Sequence, residues 1–147
     1  NFSGRKVNAP RLTALYGTDY AYSGLNKVAI PFDVVFNKLL QLVKETTNQT
    51  FNSALLNYYR TGKDSIGMHS DDEPELGTAP IVHSLSLGVS RDMVFKNKKT
   101  FAEQVVPLNH GDYLLMHSGC QQEYHHGIPK DYRSRGERIS ITLRSIN

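Results

Sequence analysis

His69, Ser70 and Asp71 set an imidazole and a carboxylate two positions apart. On an extended strand, positions i and i+2 share a side, so the two groups can converge on one ion. A second histidine must come from elsewhere, and His126, 57 positions later at the end of another predicted strand, is the candidate. Two histidines and one carboxylate on one face of an octahedral ion leave three positions open, the donor set of non-haem Fe(II) chemistry. Alone, an H-x-D triplet arises easily by chance and reads as a solvated turn. His125 competes with His126, because strand neighbours face opposite sides and periodicity does not choose between them. His83, His110 and His117 read as surface or structural histidines.

The segment Arg138-Ile139-Ser140-Ile141-Thr142-Leu143-Arg144 alternates without a break. Arg138, Ser140, Thr142 and Arg144 share one face; Ile139, Ile141 and Leu143 share the other, which is expected to enter the core. Two guanidiniums are then aligned in a polar pocket or on the outer surface. A solvent-facing amphipathic strand is the ordinary reading. The functional one is a clasp for a dicarboxylate, since arginine's planar fork makes charge-assisted bidentate bonds and keeps its charge. Asn57 and Tyr59, also at i and i+2, can reach the same ligand from the strand before His69.

These groups need a scaffold, and 147 residues suffice for one core, so a single domain over 1–147 is expected. Apolar residues at 39% and charged residues at 21% argue against disorder. The net charge of +3 gives only a mild attraction to anions. Cys120 is the sole cysteine, which excludes an internal disulfide framework or a cysteine-rich zinc site and favours a reducing, intracellular location. No apolar run approaches the roughly 18 residues of a membrane span, and no signal-peptide pattern is present. The first residue is Asn1 rather than methionine, which reads as a trimmed start.

Tyr16-Gly17 and Ser23-Gly24 read as strand ends and turns. From Pro31 to about Gln49, Val34, Val35, Leu39, Leu40, Leu42 and Val43 recur at helical spacing, with the proline in the first turn. Short strands are predicted over 51–59, 65–69, 81–87, 92–95, 100–106, 113–116, 122–126 and 138–146. Thr61 to Asp64, Lys96 to Lys99 and Asn109 to Asp112 supply turns. One helix followed by about eight strands predicts a mainly β fold, a helix packed on a two-sheet sandwich or jelly roll.

In order along the chain, Tyr16-Gly17, Tyr20 to Gly24, Thr50 to Ser53, Asn57 to Arg60, Lys63 to Pro74, Ser84 to Gly88 with Arg91, Leu114 to Met116, His126 to Pro129 and Arg138 to Arg144 resemble the AlkB-like Fe(II)- and 2-oxoglutarate-dependent dioxygenases. Within that family they resemble the eukaryotic-type homologues acting on 1-methyladenine and 3-methylcytosine. The resemblance implies a double-stranded β-helix core, with His69, Asp71 and His126 as metal ligands. It also implies Arg138 with Tyr59 at the distal carboxylate of 2-oxoglutarate, Ser140 beside them, and Asn57 and Arg144 near its chelating end. Ser140 departs from the asparagine of many AlkB proteins, though the wider superfamily uses Arg-x-Ser there. His125 and Tyr124 depart in the approach to the second histidine.

The implied activity is oxidative demethylation of N-alkylated bases in DNA and possibly RNA, with release of formaldehyde, succinate and carbon dioxide. The base is extruded and stacked. Tyr22 resembles the stacking aromatic, with Tyr20 and Ser23 nearby and His69 opposite. Asp72 and Glu73 are candidates for reading the cationic methylated ring, against a plain acidic loop. Arg11, Lys96, Lys98, Lys99, Lys130, Arg133 and Arg135 are candidates for phosphate contacts, and Phe2 for a duplex wedge. A monomer without membrane contact is expected. The rivals are a dioxygenase modifying RNA or protein side chains, a non-catalytic jelly-roll binding module, and a zinc hydrolase, which would leave the twin arginines without a role.

Overall fold

Period-two alternation after residue 50 calls for sheets with two unlike faces. The structure, a computed structural model, describes residues 9–22 and 25–147, with side chains described over 9–19 and 28–147. In chain order the elements are β1 (Leu12–Gly17), β2 (Tyr20–Tyr22), β3 (Leu25–Lys27), α1 (Val34–Thr47), β4 (Ser53–Tyr59), β5 (Ile66–His69), β6 (Val82–Gly88), β7 (Arg91–Asn97), β8 (Glu103–Leu108), β9 (Tyr113–Met116), α2 (Cys120–Glu123), β10 (Tyr124–Ile128) and β11 (Arg138–Arg144). A 3-10 turn, Pro74–Leu76, lies between β5 and β6. One antiparallel sheet runs β1-β4-β11-β6-β9 and the other β5-β10-β7-β8, with β2 and β3 as a separate ribbon. Tyr59, Met93, Leu108 and Ile128 form a buried cluster contributed by both large sheets, so the two pack face to face as a jelly roll.

Helix α1 starts later than the proline suggested. Asp33 is its N-cap, its Oδ1 accepting from the Phe36 N–H at 2.9 Å, and Pro31 stands outside the first turn. Asn48 closes the other end in the left-handed region at φ 58°, donating to Lys44 O. Phe36 and Val43 are buried, with Leu39 and Leu40 packed beside them on Ala54 and Leu143 of the five-stranded sheet. Val34, Val35 and Leu42 are exposed, because a helix lying on a sheet buries a narrower stripe than six apolar positions span.

Strand β11 is central in its sheet, between β4 and β6, and its apolar face enters a core as expected; of the two places left open for its polar face, the structure shows the pocket and not the outer surface. Leu143 and Ile141 pack under α1, while Arg138, Ser140, Thr142 and Arg144 are buried on the face toward the other sheet. Both faces are therefore interior, the apolar one under the helix and the polar one between the sheets. A second correction concerns 122–126, predicted as one strand: Cys120–Glu123 form a short helical turn before β10 begins at Tyr124. The predicted 100–106 strand is displaced to Glu103–Leu108, and Pro107 is tolerated because β8 is an edge strand. Gly17 ends β1 at φ +92°, where a Cβ would come within 2.3 Å of Asn52 O.

Candidate metal centre and co-substrate pocket

Residues from two adjacent strands of the four-stranded sheet, and from the loop after one of them, meet at one point. His69 at the end of β5 is the cross-strand partner of His126 on β10, and their ring centroids lie 4.4 Å apart. Asp71 follows β5 by two residues. One ligand atom from each of His69, Asp71 and His126 falls within 4.8 Å of the others. His126 is buried, whereas His125 points outward to Ser70 Oγ at 3.2 Å. Packing thus brings His126, and not His125, beside His69 and Asp71. His83 is also buried, its Nδ1 2.9 Å from the Tyr113 hydroxyl, and is structural.

The donor chemistry fits a cation. His69 Nδ1 lies 2.8 Å from Gly67 O, and a carbonyl only accepts, so Nδ1 carries a proton and Nε2 is the nitrogen turned to the site. That nitrogen faces Asp71 Oδ1 at 3.5 Å, and Oδ1, in a side chain 1% exposed, has no hydrogen-bond partner among the described residues. Burial alone would raise the Asp71 carboxyl. Arg144, with the two histidines, overrides this and holds it well below the usual carboxylate range. Burial lowers His126 to about 4, so its ring is neutral and can ligate. The neutral His126 ring, His69 Nε2 and an unpartnered carboxylate oxygen converge on one point, a donor set that could hold a divalent metal.

Two further side chains hold Asp71. Arg144 donates from Nε and Nη2 to Oδ2 at 3.2 and 3.0 Å. Gln121, buried on α2, accepts the Asp71 N–H at 2.8 Å through Oε1 and turns its Nε2 to Met116 Sδ. Sequence reasoning missed Gln121, because it stands just before the strand predicted over 122–126, on a helical turn too short to show a period. Lys98 Nζ bonds Gln121 O at 2.6 Å, so the hairpin between β7 and β8 braces the same turn.

The cavity running inward from His69, Asp71 and His126 is lined by Asn57, Tyr59, Arg138, Ser140, Thr142 and Arg144, with apolar walls from Ile66, Met93, Met116 and Ile128. Every residue singled out on β4 and β11 therefore lines it. Arg138 pairs across the sheet with Tyr59, stands 5.1 Å from that ring's centroid and donates to Ser86 Oγ at 3.0 Å. Its Nε and Nη1 have no hydrogen-bond partner among the described residues. Burial lowers the Arg138 pKa from its usual value, Tyr59 opposing and Arg91 adding to the shift. Such an arginine still carries its charge at neutral pH.

A second, open cavity flanks this cluster, lined by Arg11, Gly67, Met68, Ser70, Asp72 and Glu73 with His69. Three of the substrate candidates are thus brought to its wall. Arg11 also donates from Nε to Asn57 Oδ1 at 2.7 Å, which ties the outer cavity to the inner one. Of the phosphate candidates, Lys98 is engaged with Gln121 O and Arg133 with Asp131, while Lys99, Lys130 and Arg135 are exposed. Tyr20 and Tyr22 lie on β2, but their side chains, with Ser23 and Phe2, lie outside the described residues.

Residues 2–144 match the family model described as the 2OG-Fe(II) oxygenase superfamily. The chain belongs to that superfamily. It is 41% identical over 93% of its length to alpha-ketoglutarate-dependent dioxygenase alkB homolog 3 of Homo sapiens, covering 52% of that protein. To DNA oxidative demethylase ALKBH2 of Homo sapiens it is 34% identical over 97% of its length, covering 59%. The chain thus spans a little over half of these relatives. The solved structure of OsALKBH1 aligns over 90% of this chain and 77% of its own at a TM-score of 0.61 and 17% identity, which supports the jelly-roll fold. Membership implies Fe(II) as the metal and 2-oxoglutarate as co-substrate.

Proposed function

We propose that the chain oxidatively demethylates N-alkylated bases, of the 1-methyladenine and 3-methylcytosine type, in DNA and possibly RNA. The observation that carries this reading is the Asp71 oxygen without a hydrogen-bond partner beside two imidazoles, with buried Arg138 lacking an acid partner among the described residues in the same cavity. A metal at the first and a dicarboxylate at the second answer both. The nucleic-acid substrate is suggested by relatives that include a protein named DNA oxidative demethylase.

His69, Asp71 and His126 would hold Fe(II), which together with 2-oxoglutarate and oxygen supplies the oxidation of a methyl C–H bond. Arg138 and Tyr59 bind the distal carboxylate and so orient the co-substrate; Ser140 lines the same wall. Asn57, its Oδ1 already occupied by Arg11, has its amide protons left to donate to the chelating end. Arg144 keeps Asp71 ionised and aimed. Ile66, Met93, Met116 and Ile128 exclude water from the reacting centre. A methylated base enters through the outer cavity, where Asp72 and Glu73 favour its positive ring over the neutral unmodified base. Tyr22 and Tyr20, with Ser23, complete the base pocket. The oxidised methyl leaves the ring nitrogen as formaldehyde, and 2-oxoglutarate leaves as succinate and carbon dioxide. The chain is read as a monomer working inside the cell, where a lone thiol such as Cys120 stays reduced.

The test is aerobic incubation with Fe(II), 2-oxoglutarate and methylated single-stranded DNA or RNA, read by mass spectrometry. Loss of one methylene mass with matching formaldehyde and succinate is expected. Succinate formed without any change in either nucleic acid would point to a different substrate and overturn the reading.

A further inference from the structure

We propose that Arg91 is a positioning residue for the co-substrate pocket: a second buried cation behind Tyr59 that, with Arg138, makes the far end of the cavity select ligands carrying a distal carboxylate. The inference rests on the 2-oxoglutarate reading above and assigns a role to a residue that does not line the cavity.

Arg91 and Arg138 come from different sheets, β7 and β11, and are 2% and 1% exposed. The guanidinium carbon of Arg91 lies 5.5 Å from the Tyr59 ring centroid and that of Arg138 5.1 Å. The two charges are therefore no more than about 11 Å apart, with protein rather than water between them. A buried cation is costly unless something neutralises it. Arg91 donates to Asp64 O at 2.9 Å, Pro129 O at 2.8 Å and Thr61 O at 3.4 Å, and Arg138 to a serine hydroxyl. These neutral acceptors satisfy protons without cancelling charge. The acids that feel Arg91 are Asp64 and Asp131. Asp64 is held by Arg60 through three hydrogen bonds, and Asp131 by Arg133. Arg91 Nε, with Arg138 Nε and Nη1, has no hydrogen-bond partner among the described residues.

The far end of the cavity thus carries surplus positive charge that a ligand carboxylate at Arg138 would offset. The three carbonyl bonds also tie the turn after β4 to the segment after β10, which fixes the Tyr59 ring where both cations meet it. With an effective dielectric near 20, a charge at about that separation is worth roughly tenfold in affinity.

Anaerobic calorimetry on the full chain loaded with Mn(II) tests this, comparing 2-oxoglutarate with 2-oxopentanoate, which keeps the chelating end and lacks the distal carboxylate. Arg91→Gln, which removes the charge and retains amide donors, should weaken 2-oxoglutarate about tenfold and 2-oxopentanoate less than about twofold. Arg91→Lys should keep most of the preference. Arg60→Gln, a change at a partly exposed side chain that frees the Asp64 carboxylate to neutralise Arg91, should lower the preference in the same direction, and gives a reading if Arg91→Gln does not fold. An unchanged ratio of the two affinities in folded Arg91→Gln, or in Arg60→Gln when Arg91→Gln is unfolded, would overturn the inference. Parallel weakening of both acids would reduce Arg91 to a structural clamp and also overturn it. A wild-type chain that binds neither acid would instead remove the co-substrate reading beneath it.

Discussion

Arg144 brings Nε and Nη2 to a single oxygen of Asp71, at 3.2 and 3.0 Å, and leaves the other oxygen facing His69 Nε2 at 3.5 Å. One carboxylate is thereby divided between a partner that aims it and a position where a metal can sit. Both side chains are almost fully buried, so this is not a surface ion pair of negligible worth. Arg144→Met should lower stability by about 3–5 kcal/mol, because it strands a buried carboxylate. Metal affinity should fall by roughly 10- to 100-fold. Thermal denaturation of the metal-free protein and a Mn(II) titration read the two effects separately.

Gln121 presents an acceptor to the Asp71 N–H at 2.8 Å from a fully interior position. Gln121→Leu keeps the approximate volume but leaves that donor unsatisfied, at a cost of about 1–3 kcal/mol. Gln121→Glu retains an acceptor oxygen and should restore part of the lost stability, while its extra negative charge near Asp71 alters metal affinity. Denaturant midpoints for the two variants check the order.

Tyr113 gives a prediction in pH. Burial raises its phenol from 10.0 to about 12, so the folded state holds this proton more tightly than the unfolded chain does. The linked stability is fully present below about pH 10 and is lost as pH rises through that window toward about 12. Tyr113→Phe should flatten the alkaline part of the stability curve, measured by urea unfolding between about pH 8 and about pH 11. It should also lower stability at neutral pH, since the hydroxyl lies 2.9 Å from His83 Nδ1.

The cap of α1 separates stability from site chemistry. Asp33→Ala removes the acceptor for Phe36 N–H and should cost about 0.5–2 kcal/mol. Helix α1 packs on the outer face of the five-stranded sheet, against Ala54 and Leu143, away from the face that lines the cavity. Metal affinity should therefore be unchanged, a contrast with Arg144→Met that one pair of titrations reveals.

Side-chain alternation made much of this architecture legible. The polar face of β11 and the pairing of Asn57 with Tyr59 followed from period two alone, and the structure places all of those side chains on one cavity. Whether the polar face of β11 lines a pocket or the outer surface did not follow, because a central strand with a helix outside and a second sheet inside buries both faces. His125 and His126 were indistinguishable by pattern, and the cross-strand pairing of His126 with His69 separates them. Gln121 was hidden for a different reason: four residues of helix between two strands leave no periodic trace, and its contact with Asp71 spans 50 positions. Arg91 was visible only as one member of a family-like stretch, since nothing local links it to Tyr59.

The account depends most on His69, Asp71 and His126 holding one divalent metal that 2-oxoglutarate then joins. Anaerobic titration of the wild-type chain with Mn(II), followed by 2-oxoglutarate, tests that directly alongside Asp71→Ala and His126→Ala. One ion per chain, 2-oxoglutarate binding that is strengthened by the ion, and loss of ion binding in both variants is the predicted result. Ion binding that survives either substitution in a folded protein would contradict it.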